Sequence, residues 1–424
     1  MTAHLKIVRN PAEEKLGEQY DAVRASAPNL AARDAAFALF EAKGLPSKRI
    51  EAWHYSDLRA LMTSAAPLAA VPDEAALAAA PKYFALERTG EPRLVFFDGF
   101  LVRALSSLDA LDVGVAEIAP LAVDADAIVA LNAAFASETT RIRIPAGATQ
   151  SLHLAFVGSG PSSAYSRVAI EIGAGAEVTL VETHESADGV ASQSNNFLRI
   201  SAAAGARVEH VRLQAEGDAA LSLSSLELTL AENVAFSSFA FVAGGRFARH
   251  QVNVAMIGAG ATLNLSGLSL LAHEQHADAT LVVRHKAEKC VSREYFKHIV
   301  SDEATGVFQG KVVVERRAQK TDGAMKSRAI LLSPGATMNN KPELEIFADD
   351  VVCGHGATVG ALDAEQLFYL QARGLTRAEA EAMLLEAFGA EALERVGAEG
   401  LRALLTDVLR AWLAARAPEA AEAL

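Results

Sequence analysis

The chain has 424 residues, 51% of them hydrophobic, with a formal net charge of -13 and two cysteines. That length exceeds one ordinary core and calls for two or three domains or one elongated solenoid. The acidity argues against nucleic acid and anionic membranes as partners, and two cysteines exclude a disulfide framework and suit a reducing cytosol. Met1 to Pro11 is polar and lacks the apolar segment of a signal peptide, and no apolar run approaches the ~18 residues of a membrane span, so the expected setting is cytoplasmic.

From Ala12 to Gly44 the chain reads as helical, with Leu30, Phe37 and Phe40 at helix-like spacings and Gly44 as a stop. A turn at Leu45-Pro46-Ser47 leads into Arg49 to Leu58, where His54 sits beside Trp53 and Tyr55 and is read as a packing residue; an Ala-rich irregular stretch runs on to Pro81. Leu94 to Val102 gives a short strand pair around Asp98-Gly99, the strongest hairpin signal. From about Arg141 a unit of apolar strand, Gly-Ala turn and second strand recurs. It appears at Ile142-Arg143-Ile144 before Gly147-Ala148, at Ile170-Glu171-Ile172 before Gly175-Ala176, at Leu198-Arg199-Ile200 before Gly205-Ala206, and at Val252-Asn253-Val254 before Gly260-Ala261. A weaker copy turns at Glu232-Asn233, and the pattern returns at Ile330-Leu331-Leu332 before Gly335-Ala336. The step of roughly 28 residues, with no helical period between copies, points to stacked strands in a β-helix.

After Leu362 the period becomes helical. Asp363-Ala364-Glu365-Gln366 has the form of a capping box ahead of Leu367, Phe368 and Leu370, with Gly374 as a stop. Thr376 to Glu379 is a second box, opening a helix through Met383, Leu384, Leu385 and Phe388 to Gly389, and a third helix runs from about Glu399 to Arg416. These helices read as units separate from the strand stack that either cap its end or present a groove to a partner. The expected division is a helical and mixed N-terminal region over 1–115, a β-helix over 116–360 and a helical region over 361–424.

No nucleotide-binding, serine-hydrolase or Cys-x-x-Cys motif is present. His273 and His276 fall on opposite faces of a strand, His285, Cys290 and His298 read as packed or solvated, and Asp349-Asp350 alternate faces, which disfavours a glycosidase pair. The chemistry gathers in Lys341 to Gly360. Read as one strand, it turns Leu344, Ile346, Ala348 and Val352 to a core and puts Glu343, Glu345, Asp349, Cys353 and His355 on the opposite face, the last two about 7 Å apart. Such a ridge is either a metal- or thiol-handling edge or an edge strand kept soluble by its acids.

The run from Lys311 to Gly374 resembles the SufB/SufD family of iron–sulfur cluster assembly proteins. The resemblance is carried by Gln319-Lys320-Thr321-Asp322-Gly323, Lys341-Pro342-Glu343-Leu344-Glu345-Ile346, Ala348-Asp349-Asp350-Val351, Cys353-Gly354-His355-Gly356-Ala357-Thr358-Val359-Gly360 and Gln366-Leu367-Phe368-Tyr369-Leu370. Weaker likeness reaches His285, Ser292-Arg293, Val307 to Lys311, and Gly44 to Ser47 with Glu51-Ala52-Trp53. The Cys-x-His-Gly-Ala-Thr-Val-Gly form resembles the SufD branch, and Leu370 stands where the SufB branch carries a cysteine implicated in cluster building.

The resemblance implies a mainly β protein, a right-handed parallel β-helix between helical ends, acting as a non-enzymatic scaffold that pairs with SufB and with two copies of the ATPase SufC. It implies a shared interface site at His355 with Cys353 nearby, and ATPase contact through Asp363, Gln366, Leu367, Phe368, Tyr369, Arg373, Leu384 and Phe388. No tightly bound cofactor is expected in the isolated chain. Iron or a cluster would be held transiently in the complex, which also leaves room for a flavin, and a homodimer is compatible with the isolated chain. The alternative of another class is a carbohydrate-active β-helix enzyme, which needs exposed carboxylates and stacking aromatics along several turns; the repeats supply few such aromatics.

Overall fold

The computed structural model describes residues 9–24, 29–80 and 91–422, with side chains to 416. The polar start over residues 1–8 and the segment 81–90 lie outside the described residues. Two stacked parallel sheets form the body. One, ten-stranded, begins at the hairpin β1 (Arg93–Phe97) and β2 (Phe100–Leu101) and continues through β5 (Thr149–Gly158), β7 (Glu177–Ser186), β9 (Arg207–Ala215), β11 (Ala235–Val242), β13 (Thr262–Leu271), β15 (Val291–Val300), β17 (Asp322–Leu331) and β19 (Val352–Gly360). The other, nine-stranded, runs from β3 (Asp112–Ala116) and β4 (Thr139–Ile144) through β6 (Ser163–Ile172), β8 (Gln193–Ala202), β10 (Leu221–Leu230), β12 (Phe247–Met256), β14 (His276–His285) and β16 (Thr305–Val314) to β18 (Thr337–Ile346). From β4 onward successive strands alternate between the sheets, which is the expected β-solenoid, while β2 and β3 pair antiparallel with β1 and β4 at its start. Its first rungs, β1 and β3, lie in the stretch read from sequence as N-terminal region: β1 pairs in parallel with β5.

Parallel in-register pairing sets the interior. Position by position, Ile170, Ile200, Leu228, Val254 and Val283 stack in one inward column, and the columns merge into one apolar core. The Gly-Ala turns work because Gly147, Gly175, Gly205 and Gly260 adopt φ between 65 and 70°, where a side chain is strained. Asn233 takes the same left-handed place at φ 55°, as asparagine tolerates. The Asp98-Gly99 turn likewise has both residues at positive φ, closing β1 on β2.

Helices α1 (Pro11–Arg24), α2 (Leu30–Lys43), the short α3 (Leu58–Leu61) and α5 (Ala127–Phe135) pack with Trp53 against the outer face of the nine-stranded sheet at Tyr165, Leu221, Leu223 and Phe247, while α4 (Glu74–Ala79) packs beside β1. Helix α5 has no sequence signal in the reading above because it is apolar on all sides, as a fully enclosed helix is. Trp53 rather than His54 is the packing residue: its ring is fully buried under the Arg249 guanidinium, 3.8 Å from ring centroid to Cζ, and its Nε1 donates to Asp126 at 2.8 Å. His54 is exposed. Arg249 pairs with Asp278 and donates to the Ala52 carbonyl, and Ser56 donates to Asp278 at 2.5 Å. Trp53→Ala would leave a cavity and loosen a buried charge cluster, so we expect a loss of about 3–5 kcal/mol in denaturant unfolding with β-sheet content retained.

At the other end, α6 (Ala364–Ala372), α7 (Arg377–Leu393) and α8 (Glu399–Glu422) follow the strands. They neither cap the solenoid nor stand apart from it. Helices α7 and α8 lie along its flank, covering Val181, Val211, Phe239, Phe241, Leu268 and Ile299 on the outer face of the ten-stranded sheet. The Glu209 carboxylate accepts from the Gly397 and Ala398 amides at the start of α8. Helix α7 continues past Gly389 because its missing side chain admits Leu409 of α8 and Leu268 of β13; a Cβ there would lie 2.7 Å from Leu409.

Candidate functional site at the open end of the solenoid

Lys341 to Gly360 is two strands, not one. Phe347 to Val351 form a corner, with Ala348 tucked inward and the Phe347 amide donating to the Val314 carbonyl. The corner resets the alternation. Glu343 and Glu345 lie on the outer face of β18, where Lys341 contacts Glu343 at 3.4 Å and Lys311 contacts Glu345 at 2.5 Å. Cys353 and His355 instead occupy inward columns of β19, stacked on Gly323 and Met325 of β17. The single ridge of carboxylates, thiol and imidazole is therefore not formed. Asp350 sits in the corner, paired with Lys320.

His355 is exposed although its column faces inward, because β18 and β19 are the last strands of their sheets and, among the described residues, no further rung covers them. Both present an unpaired edge to solvent, beside exposed Ile346, Phe347, Val352 and Val359. Long edges rich in strand formers and left uncovered are templates for pairing with another chain. Cys353 is half-buried over Gly323; a Cβ at Gly323 would lie 3.5 Å from the Cys353 Sγ and 3.6 Å from the Ser292 Oγ, so the glycine leaves a small gap between thiol and hydroxyl. Burial pushes the Cys353 thiol up, with Asp322 and Glu294 adding to the effect, which keeps it protonated near neutrality. A metal taking this sulfur would displace a proton.

Among the described residues, no three His, Cys, Asp or Glu side chains are grouped to hold a metal ion. The open end presents the His355 imidazole to solvent with no such group gathered around it among the described residues. The other histidines singled out from sequence are structural. His273 lies in a turn at φ 54°. His276 contacts Ser56 at 2.8 Å and His285 contacts Ser292 at 3.1 Å, while His298 and Cys290 are buried. The sequence reading missed Glu294, buried two rungs beneath His355 in its column and pushed up to about 7 by burial. It also missed Glu182, which accepts from His210 at 3.0 Å and contacts His184 at 2.5 Å inside the solenoid. The available signal was a charged residue at the inward parity of a strand.

The second candidate surface is α6. Asp363 caps it, accepting from the Glu365 and Gln366 amides, though without the return bond of a full capping box; Thr376 and Glu379 make the full box on α7. Phe368 and Tyr369 are 74% and 57% exposed, too much for an unpartnered helix face of this size. Arg373 donates to the Tyr369 hydroxyl at 2.9 Å, and Gln366 is exposed beside them. Three residues of the expected contact set turn the other way. Leu367 is buried, Leu384 is half-buried, and Phe388 packs against Lys297, because α6 and α7 use one face to dock on their own chain.

Comparison with known proteins places these surfaces in context. Residues 156–388 match the family described as SUF system FeS cluster assembly, SufBD core domain. The iron–sulfur cluster assembly protein SufD of Escherichia coli is 32% identical over 364 residues, 82% of this chain and 84% of its own. An iron–sulfur cluster assembly SufBD family protein of Synechocystis is 28% identical over 82% of this chain and 83% of its own. The chloroplastic protein ABCI7 of Arabidopsis thaliana is 33% identical over 53% of this chain and 48% of its own.

Proposed function

The chain belongs to the SufBD family of iron–sulfur cluster assembly proteins, and from that membership we propose that it is a non-catalytic scaffold subunit of the SUF complex. In this reading the open end pairs with SufB, α6 receives the ATPase SufC, and a nascent cluster is held transiently between subunits with His355 as this chain's ligand. Any flavin would belong to the assembled complex, and the setting is the cytoplasm; among the described residues no helix is long and apolar enough to cross a membrane.

The observation that carries the reading is the pair of adjacent edges, β18 and β19, that no strand covers among the described residues, with the exposed His355 imidazole on β19. A solenoid end normally needs a cap to stay soluble. Here a partner of the same fold supplies one by continuing both sheets across the joint, and a second copy of this chain would fit the same edges in the absence of SufB. For the carbohydrate-active alternative, the exposed aromatics Phe347, Phe368 and Tyr369 lie at one end of the molecule rather than along a groove.

The tagged chain should co-purify with SufB and SufC and carry iron and sulfide only in their company. Alone it should scatter light as a concentration-dependent dimer, and a charged substitution in the edge, Val352→Lys, should abolish both pairings. A strict monomer that still binds SufB through another face would overturn the edge assignment.

A further inference from the structure

Beneath α7 a lysine is sealed into the protein. Lys297 of β15 is fully buried; its Nζ donates to Glu391 at 2.5 Å and to the Phe388 carbonyl at 2.7 Å, and lies 4.1 Å from the Phe388 ring. Glu391 also accepts from the Tyr295 hydroxyl at 2.5 Å and contacts Arg328 of β17 at 3.4 Å. One carboxylate of α7 thus gathers three donors from two neighbouring rungs. A buried ammonium left without its partner is strongly disfavoured, so α7 cannot lift from β15 without a large local penalty.

The two strands gripped on the outside support the open end on the inside. Next to Lys297, Phe296 and His298 point into the core. Next to Arg328, Ser327 points inward and donates to the Asn340 Oδ1 of β18 at 2.6 Å, linking the two sheets at the last turn. Strand β19 rests directly on β17, with His355 over Met325.

We propose that Glu391 is the positioning residue that clamps α7 to the last rungs, so that a load taken up by α6 and α7 is delivered to the strands carrying His355. This rests on the proposed function for the source of the load, SufC turning over ATP, but not for the clamp itself. Helix α7 keeps its apolar seat when the carboxylate is altered, since Leu268, Leu385, Leu393 and Leu409 remain packed. Glu391→Gln should therefore fold, and Glu391→Asp should retain part of the effect.

In the full chain without partners, amide hydrogen exchange over Val352–Gly360 and Thr337–Ile346 should speed up about tenfold in Glu391→Gln, while β5 to β9 remain unchanged; Asp should fall between. Exchange that is unaltered, or that rises evenly over the whole solenoid as in general destabilisation, overturns the clamp. In the complex with SufB and SufC, the Gln variant should hydrolyse ATP at the normal rate yet assemble fewer clusters per ATP, and equal changes in both rates overturn the coupling. If SufC does not bind the chain at all, the proposed function fails and the exchange pattern still decides the clamp.

Discussion

In the His355→Ala variant, the complex with SufB and SufC should form and hydrolyse ATP while iron and sulfide fail to accumulate. The side chain is exposed at the end of the stack, and β19 pairs with β17 through its backbone, so the substitution should alter stability by no more than about 0.5 kcal/mol. What it removes is an exposed imidazole, a side chain able to bind a metal through a ring nitrogen. Cys353→Ala should be milder, because that thiol is half-buried and held protonated by burial. Iron and sulfide per complex, measured beside ATPase rate and gel filtration, separate the outcomes. Normal cluster content would reduce His355 to a solvated edge residue, and a dissociated complex would make it a contact residue instead of a ligand.

Removing the chain from Asp363 onward should cost the fold and not only the proposed ATPase contact. The two capping boxes suggest independent helices, yet α7 and α8 cover eight apolar side chains of the ten-stranded sheet: Val181, Val211, Leu213, Phe239, Phe241, Leu268, Leu270 and Ile299. At about 1.5–3 kcal/mol for burying each fully, uncovering them approaches or exceeds the roughly 5–15 kcal/mol by which a domain is stable. Lys297 would also lose Glu391. The truncated chain should appear in the insoluble fraction. A double substitution confined to α6, Phe368→Ser with Tyr369→Ser, should leave thermal unfolding nearly unchanged, given the exposure of both rings, and abolish SufC co-purification. A soluble, cooperatively folding truncation would show the solenoid to be self-sufficient; retained SufC binding by the double variant would move the ATPase contact elsewhere.

The contrast shows what local sequence carries. The repeat was legible because strand alternation and a glycine at positive φ are local requirements, met again and again at Gly147, Gly175 and Gly205. The helix starts were legible from Asp363 and Thr376 for the same reason. Register through the last corner was not: Phe347 to Val351 contain no glycine or proline to mark the bend, so the alternation was carried across it and Cys353 and His355 were assigned the wrong companions. Docking of α7 and α8 was hidden because strands of a parallel sheet are apolar on both faces, and Leu268, Leu270 and Leu271 read equally well as core on either side. Helix α5 lacked a periodic stripe, and the Lys297–Glu391 contact joins residues with no local signal at either. His355 was singled out by family resemblance; its exposure at an uncovered rung belongs to the structure.

The open end also bears on how an unassembled copy would unfold. In a stack where each rung touches only its immediate neighbours, unfolding can proceed as unzipping from a terminus; α1, α2 and α5 brace the outer face at β6, β10 and β12, whereas among the described residues no strand follows β18 and β19. Fraying at that end of an unassembled copy would open the surface a partner is proposed to occupy. A partner seated there should close that route, so limited proteolysis of the isolated chain should cut first within β18 and β19, and complex formation should protect them.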